Sequence, residues 1–311
     1  MRRLMIGLVL AVLAMAAGPT LGKPLVTLPD WKTVKVTTQD LGHGIYMLQG
    51  FGGNIGVSVG PDGIFMVDDE YAPLTKKIRA ALRAISDQPV RFVVNTHWHM
   101  DHVGGNENFA KAGALIIAHK ETRRIMAMFV DTPSSPENDE AQFSPRALPM
   151  LTYDTALTFH LNGETIEVRH VAPAHTSGDS IVFFHQANVI QTGDTYFNGF
   201  YPFIDVRFGG SIDGMIALYD QLYAMADADT KIIPGHGPIA NRENVREYQA
   251  MLRTVRDRVA RAIAKGTTIQ QLVAAKPLAD LDPKWGGNLI KAGMLLPMVY
   301  KDLQKHAQAG R

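Results

Sequence analysis

Short apolar runs alternate with glycine-rich turns between residues 44 and 68. One of these turns is Gly50-Phe-Gly-Gly-Asn54, which separates the apolar run at 45–48 from the run at 55–59. Strand-like runs divided by turn residues predict an antiparallel meander, with residues 50–54 at a hairpin tip. Further runs of this kind lie at 90–94, 165–171 and 188–190.

After the meander, the apolar residues recur at the spacing of a helix. Leu74, Ile78, Leu82 and Ile85 recur at three- and four-residue intervals with lysines and arginines between them, which predicts a helix with one buried face. Residues 212–222 and 243–264 predict two more helices, and Asn241 and Gly266 are suited to begin and end the second. Clustered strands with interspersed helices indicate an α/β fold in which helices cover the sheets.

Residues 126–150 interrupt these periodic patterns. The segment is rich in proline and acidic residues and follows a methionine-rich stretch. The segment predicts an insertion beside the face of the domain that carries the candidate functional residues. It would be either a lid over a substrate or a surface loop. After Gly266 the sequence predicts a C-terminal helical extension that serves packing.

The N-terminus resembles a secretory signal. Arg2 and Arg3 precede an apolar run that ends in small residues, so we expect residues 1–22 to be a cleaved signal peptide. The alternative is an uncleaved membrane anchor, but the apolar run is short for a membrane span. We therefore expect a single domain over 23–311, no integral membrane span after cleavage, and a periplasmic or secreted location.

The net charge and the cysteine content limit the classes of binding partner and of covalent cross-link that the sequence predicts. The formal net charge is +1, and loss of Arg2 and Arg3 would make it −1. No basic stripe suited to nucleic acid is present, so we expect a small-molecule substrate and no nucleic-acid partner. The chain has no cysteine and therefore no disulfides. The sequence does not indicate an oligomeric state.

Residues 95–106 carry a dense group of polar side chains. His97, His99, Asp101 and His102 follow the apolar run at 90–94, so one loop at a strand end would hold all four. Imidazole and carboxylate without thiolate suit zinc first, then iron or manganese. Three later turns supply further residues of this type: His175, Asp194 and His236, each next to a strand-like run.

The order His-X-His-X-Asp-His, then His, then Gly-Asp, then Gly-His-Gly resembles the metallo-β-lactamase superfamily. The resemblance covers roughly residues 40–300, and the run from Gly63 to Asp68 is similar to an early strand of that family. It implies a four-layer αββα sandwich with the site at one edge of the sheets.

The resemblance also implies two Zn²⁺ ions per chain. One would be held by His97, His99 and His175, the other by Asp101, His102 and His236, with Asp194 bridging both. Asp68 would orient a ligand histidine, or would be a turn-forming carboxylate at a strand end. Asp101 and Asp194 are the candidate catalytic residues, and Asp101 would orient a metal-held hydroxide and relay its proton.

Candidate substrate contacts come from turns near these ligands. Phe51 and Asn54 lie on the predicted hairpin tip, and Tyr196 and Asn198 follow Asp194 closely, where they would donate to a developing oxyanion. We expect Trp98, between two ligand histidines, to pack in the core.

The predicted function is zinc-dependent hydrolysis of an ester, thioester, lactone or amide carbonyl by a metal-bridging hydroxide. A β-lactamase is the first alternative. The resemblance disfavours it, because the best-known lactamase subclass has a cysteine at the position of Asp194 and a lysine a few residues later, and the loop at 195–203 has no lysine. A mononuclear iron persulfide dioxygenase is the second alternative and a non-catalytic binding protein the third. The dioxygenase would use a closely related ligand set without a second metal, so metal analysis would distinguish it, whereas a binding protein would be expected to have lost ligands and this chain retains all seven.

Overall fold

The computed structural model describes residues 27–130, 142–287 and 289–309, the last of these without the side chains beyond Lys305. The first sheet contains β1 (Thr37–Gly42), β2 (Ile45–Gln49), β3 (Ile55–Gly60), β4 (Gly63–Val67), β5 (Val90–Asn95), β6 (Leu115–His119) and β7 (Leu151–Tyr153). The second contains β8 (Ala156–Leu161), β9 (Glu164–His170), β10 (Ser180–Phe184), β11 (Val189–Gln191) and β12 (Lys231–Ile233). The helices are α1 (Thr75–Arg83), α2 (Met100–Val103), α3 (Asn106–Lys111), α4 (Lys120–Ala127), α5 (Ile212–Met225), α6 (Arg242–Ala264), α7 (Ile269–Ala274), α8 (Asp282–Trp285) and α9 (Ala292–Ala309).

The strands of the first sheet lie in chain order, and those of the second lie in the order β12-β11-β10-β9-β8. Strands β1 to β4 pair antiparallel, whereas β4 to β7 pair parallel. In the second sheet β8 to β11 pair antiparallel, and β12 pairs parallel with β11. Strands β9, β11 and β12 consequently point the same way, so their carboxyl ends share one edge.

One hydrophobic core lies between the two sheets. In β4, Phe65 and Val67 face this core, while Ile64 and Met66 face the other side of the sheet. This alternation follows from the two-residue period of a strand and explains why β4 reads as a continuous apolar run. The second sheet alternates in the same way, as Val182 of β10 joins the core between the sheets.

Helices cover the outer faces of both sheets. Ile78 and Leu82 of α1 and Phe109 of α3 pack on the outer face of the first sheet. Helices α5, α6 and α9 pack on the second, where Tyr219 and Tyr248 are fully buried. The predicted αββα sandwich is confirmed.

The predicted meander and the three predicted helices are present. Asn241 begins α6 through a reciprocal pair of hydrogen bonds with Asn244, as its position predicted. Residues 1–26 and 131–141 lie outside the described residues, and these include the predicted signal peptide and part of the predicted insertion. Within the described part of the chain, no helix has the length and apolar character needed to cross a membrane.

Candidate metal centre

The His-rich segment lies at the carboxyl end of β5. His99 has extended backbone angles and begins α2, whose first turn carries Asp101 and His102. The backbone N–H of His102 donates to the carbonyl of His99. This change from strand to helix within three residues turns four side chains toward one point, which a continued strand would send to opposite faces.

The remaining ligand candidates come from the second sheet. His175, Asp194 and His236 lie in the turns after β9, β11 and β12, whose carboxyl ends meet at the shared edge. Asp179 fixes the first of these turns by accepting hydrogen bonds from the backbone N–H groups of His175 and Thr176. The site is therefore built across both sheets.

These seven residues form two groups whose candidate ligand atoms lie within 4.8 Å of one another in each group. The first group contains His97, His99, His175 and Asp194; the second contains Asp101, His102, His236 and Asp194. Asp194 belongs to both, with Oδ2 lying 3.7 Å from Nε2 of His175 and Oδ1 lying 2.9 Å from Nε2 of His102. The structure thus brings together all seven residues in the predicted partition.

Four imidazoles are oriented by hydrogen bonds on the side away from the ligand groups. Nδ1 of His102 lies 2.8 Å from Asp68 Oδ2, and Nδ1 of His175 lies 2.8 Å from the carbonyl of Phe203. Nδ1 of His97 lies 3.0 Å from Oγ1 of Thr96, and Nε2 of His99 lies 3.1 Å from Asp205 Oδ2. A proton on each of these nitrogens leaves the other nitrogen of the ring with a lone pair that faces its ligand group.

Asp68 occupies a strained backbone position at the end of β4. Its φ angle is +65°, and its fully buried carboxylate accepts hydrogen bonds from the backbone N–H and the hydroxyl of Thr96. It therefore contacts both Thr96, which holds His97, and His102. The predicted contact with a ligand histidine is present.

Two glycines leave room for the ligands. A β-carbon at Gly53 would overlap the imidazole of His102, and one at Gly235 would overlap Oδ1 of Asp194. Gly53 also donates its backbone N–H to the carbonyl of Asp101. The glycines of the hairpin tip and of the Gly-His-Gly turn thus permit the close approach of backbone to side chains.

The two groups differ in charge. Burial holds the pKa of His97 well below its usual value and lowers that of His175 to about 4, so both imidazoles are neutral. Burial also opposes charge on His236, but the carboxylates of Asp194 and Asp101 raise its pKa to about 10. Burial would raise the pKa of Asp101, yet the charge of His102 and a hydrogen bond from His236 lower it to about 2. Positive charge is accordingly favoured beside the two carboxylates.

The residues fit a divalent metal. Nε2 of His97 is buried and has no hydrogen-bond partner among the described residues, and the nearest carboxylate oxygen, on Asp194, is 3.8 Å away. A buried nitrogen lone pair without a donor is unfavourable unless a cation is bound there. Nitrogen and oxygen donors without sulfur also suit zinc, iron or manganese. The buried atoms and the donor set therefore agree with the predicted metal site.

A cavity of about 770 Å³ opens over this centre. His99, Asp101, Asp194 and His236 line it, whereas His97, His102 and His175 are buried beneath. Phe51 lines the cavity as predicted, and so does Trp98, although Trp98 is 3% exposed and stacks on Phe129 as a core residue.

Three predicted substrate contacts are corrected. Asn54 is 1% exposed, and its amide donates to the carbonyls of Pro234 and Gly237. Tyr196 packs on Tyr219 and Tyr248 in the outer core, and its hydroxyl donates to Asn198. The amide of Asn198 in turn donates to the carbonyl of Pro238. These polar groups hold neighbouring turns together and do not line the cavity.

Two buried carboxylates near the centre were not predicted from the sequence. Asp205 contacts His99, and no sequence pattern indicates this contact, because only the path of the loop after β11 brings the two side chains together. Glu70 is fully buried and accepts hydrogen bonds from the backbone N–H groups of Gly50, Phe51 and Gly52 at the hairpin tip. The run Asp68-Asp69-Glu70 at a strand end was a possible signal, because three adjacent acids are rarely buried without a purpose.

Comparison with known proteins agrees with this geometry. A family model described as the metallo-beta-lactamase superfamily matches residues 50–239. A linear primary-alkylsulfatase from a Pseudomonas strain is 25% identical over 254 residues, which are 68% of this chain and 48% of that protein. A hydroxyacylglutathione hydrolase from a Polaromonas strain is 27% identical over 173 residues, covering 54% of this chain and 57% of the relative. The chain thus spans about half the length of these two relatives.

Among solved structures, a double mutant of the sec-alkyl sulfatase PisA1 aligns with a TM-score of 0.64 and 17% identity, over 86% of this chain and 50% of that one. At this identity the likeness concerns the fold alone. The family match covers more than half of the chain, and its range includes all seven candidate metal ligands. The chain therefore belongs to the metallo-beta-lactamase superfamily.

Proposed function

We propose that this protein is a dinuclear zinc hydrolase that cleaves a carbonyl ester, thioester or lactone. The observation that carries the proposal is the position of Asp194 between two groups. Its two carboxylate oxygens face separate groups, each with three further candidate ligand residues. Zinc ions bound there would supply a water-derived nucleophile near neutral pH and would polarise the substrate carbonyl. The two relatives are named as an alkylsulfatase and a hydroxyacylglutathione hydrolase, which supports hydrolysis in general.

The chain's own residues would prepare this chemistry. Asp68, Thr96, Phe203 and Asp205 hold four imidazoles so that one lone pair of each faces inward. Fixing ligands before the reaction lowers the cost of reorganisation during it. Asp101 lines the cavity and lies 3.2 Å from His236, so its carboxylate is placed to orient an attacking water and to accept its proton.

Two competing functions have different requirements. A persulfide dioxygenase would need one iron, and the second group of Asp101, His102 and His236 would then have no function. A β-lactamase would need a cation to hold the carboxylate of the drug. Arg207 is the one lysine or arginine among the described residues that line the cavity, so a β-lactamase would depend on this side chain to hold the drug carboxylate.

Elemental analysis and a substrate screen test the proposal. We expect two zinc ions per chain, and we expect Asp194→Ala to lower the metal content of both groups while Asp257→Ala, on the exposed face of α6, does not. Activated esters, thioesters and lactones should be hydrolysed with higher kcat/KM than phosphodiesters, sulfate esters, penicillins or carbapenems. A single iron without zinc would contradict the proposal, and so would a carbapenem that is the best substrate by about tenfold or more.

A further inference from the structure

Two groups of aromatic side chains line the cavity. The first, here called the tip wall, consists of Phe51 and Tyr71, whose rings lie 6.2 Å apart and both pack against Trp31. The second, here called the loop wall, consists of Phe197, Phe200 and Phe203. Phe51 is 36% exposed and lines the cavity, so part of a large apolar ring is open to it.

The two walls lie beside different metal groups. The tip wall adjoins the second group, because a β-carbon at Gly52, next to Phe51, would touch the backbone of Asp101. In the loop wall, the ring of Phe203 lies 5.8 Å from each of the rings of His99 and His175, which belong to the first group. Phe197 lies between the two groups, since its ring stacks on His236 of the second group at 5.4 Å and lies 6.1 Å from the ring of His175 of the first.

The polar lining of the cavity is mainly acidic. Asp101, Asp194 and Asp205 line it. Among the described lining residues, Arg207 is the one arginine and there is no lysine. Three carboxylates repel an anionic substrate group, although bound metal would offset the charge of Asp101 and Asp194. Recognition away from the metals therefore depends on the aromatic surfaces.

Resting on the proposed function, we infer that the substrate is an ester with apolar groups on both sides of the carbonyl, an aliphatic or aromatic acyl group and an aliphatic or aromatic alcohol. A carbonyl held over the metal groups places one substituent against the tip wall and the other against the loop wall. Water adds to the carbonyl carbon, the bond to the alcohol oxygen breaks, and a proton passes to the departing alcohol. A volume of about 770 Å³ accommodates a molecule of this size.

Two series of esters test the inference with zinc-loaded protein. One varies the acyl chain of 4-nitrophenyl esters from acetate to octanoate, and the other varies the alcohol of phenylacetate esters from methyl to hexyl. Burial of each added methylene favours kcat/KM by about threefold to fourfold until the wall is filled. Binding of 4-nitrophenyl alkyl ethers, which have no carbonyl to hydrolyse, should tighten along the same chain lengths in calorimetry.

Variants assign the walls. Phe51→Ala should flatten the gain in one ester series and Phe203→Ala the gain in the other, because each removes one apolar surface. Phe51→Leu and Phe203→Leu keep an apolar side chain and should retain most of the gain. The exposed Met150→Ala serves as a matched control away from the cavity and should leave both series unchanged.

The outcomes separate this inference from the proposed function. If the esters are hydrolysed but kcat/KM is independent of chain length in both series, the substrate inference is overturned and the hydrolase proposal stands. If the ethers bind with the expected trend but no ester, thioester or lactone is hydrolysed, the hydrolase proposal fails while the apolar recognition is supported. Equal loss in both series from either Ala variant would also contradict the assignment of two walls.

Discussion

At the scale of single residues, hydrogen bonds to the ring nitrogens that face away from the ligand groups orient the imidazoles. Asp68 and Asp205 are matched carboxylates: the first contacts His102 of the second group and the second contacts His99 of the first. Each carboxylate contacts the ring nitrogen that faces away from the ligand groups. Loss of such a partner typically weakens metal binding or activity by about 10- to 100-fold.

We expect Asp68→Asn to weaken metal binding mainly at the second group and Asp205→Asn mainly at the first. The φ angle of +65° at Asp68 is one that asparagine adopts readily, so the variant should fold. Competition titration with a zinc chelator would measure both affinities. If both variants weaken the same site, the assignment of histidines to two groups is incorrect.

A pair of histidines outside the metal centre confers pH dependence. The rings of His119 and His170 stack 3.7 Å apart, and burial followed by the neighbouring charge of His170 lowers the pKa of His119 to about 4. An unfolded histidine binds its proton near pH 6.5. The folded state binds fewer protons below that pH, so His119 destabilises the fold progressively as the pH falls from about 6.5 to about 4.

His119→Asn should reduce that loss of stability. Asparagine can still cap α4, where His119 now accepts a hydrogen bond from the N–H of Glu121, and it does not titrate. Urea unfolding at pH 7 and at pH 5 would give the two free energies for each protein. The wild type should lose more stability than the variant; equal losses would show that His119 is not the titrating group.

At the scale of elements, the hairpin tip between β2 and β3 depends on one buried carboxylate. Glu70 accepts three backbone hydrogen bonds from residues 50–52, at 2.7, 3.1 and 2.9 Å. Its own carbonyl accepts from the N–H of Gly105, just after α2. Glu70 therefore joins the tip wall to the segment that carries Asp101 and His102.

We expect Glu70→Gln to loosen the tip, because an amide has one acceptor oxygen and its NH₂ group would face backbone donors. The free energy of unfolding should fall by about 1–3 kcal/mol, the cost of buried groups left without partners. KM should rise more than kcat falls, since the tip lines the cavity, where we infer that it contacts substrate, but supplies no candidate metal ligand. Glu243→Gln, on the exposed surface of α6, is the control and should change neither quantity.

At the scale of the whole molecule, the metal centre joins the two sheets. His97, His99, Asp101 and His102 follow β5 of the first sheet, while His175, Asp194 and His236 follow strands of the second. A metal that binds these ligands in the folded state stabilises that state alone. The gain is about 4 kcal/mol at a free metal concentration about 1,000 times the dissociation constant.

Removal of metal by a chelator should therefore lower the Tm, and zinc should restore it. The dependence should be reduced in Asp194→Ala, which lacks the carboxylate shared by both groups, and kept in the Asp257→Ala control. Differential scanning calorimetry at several zinc concentrations measures the effect. A Tm independent of zinc in the wild type would exclude zinc as the metal that bridges the sheets.

The residues alone predict the principal strands and helices and the candidate metal ligands. Strand periods of two and helix periods near 3.6 are local, so β4, α1 and α6 could be predicted from the residues within them. The motif at 97–102 and the single residues His175, Asp194 and His236 stand in turns that glycine and proline mark. The family resemblance supplied their partition into two groups, and the structure places them in that arrangement.

Which other side chains reach the metal centre depends on the folded chain. Asp205 contacts His99 across more than a hundred residues, and Asn54 and Tyr196 turn away from the cavity although they are near ligands in sequence. Such contacts depend on loop paths and on which neighbour satisfies each buried polar group. Sequence spacing does not contain that information, because a turn can direct adjacent side chains to opposite sides.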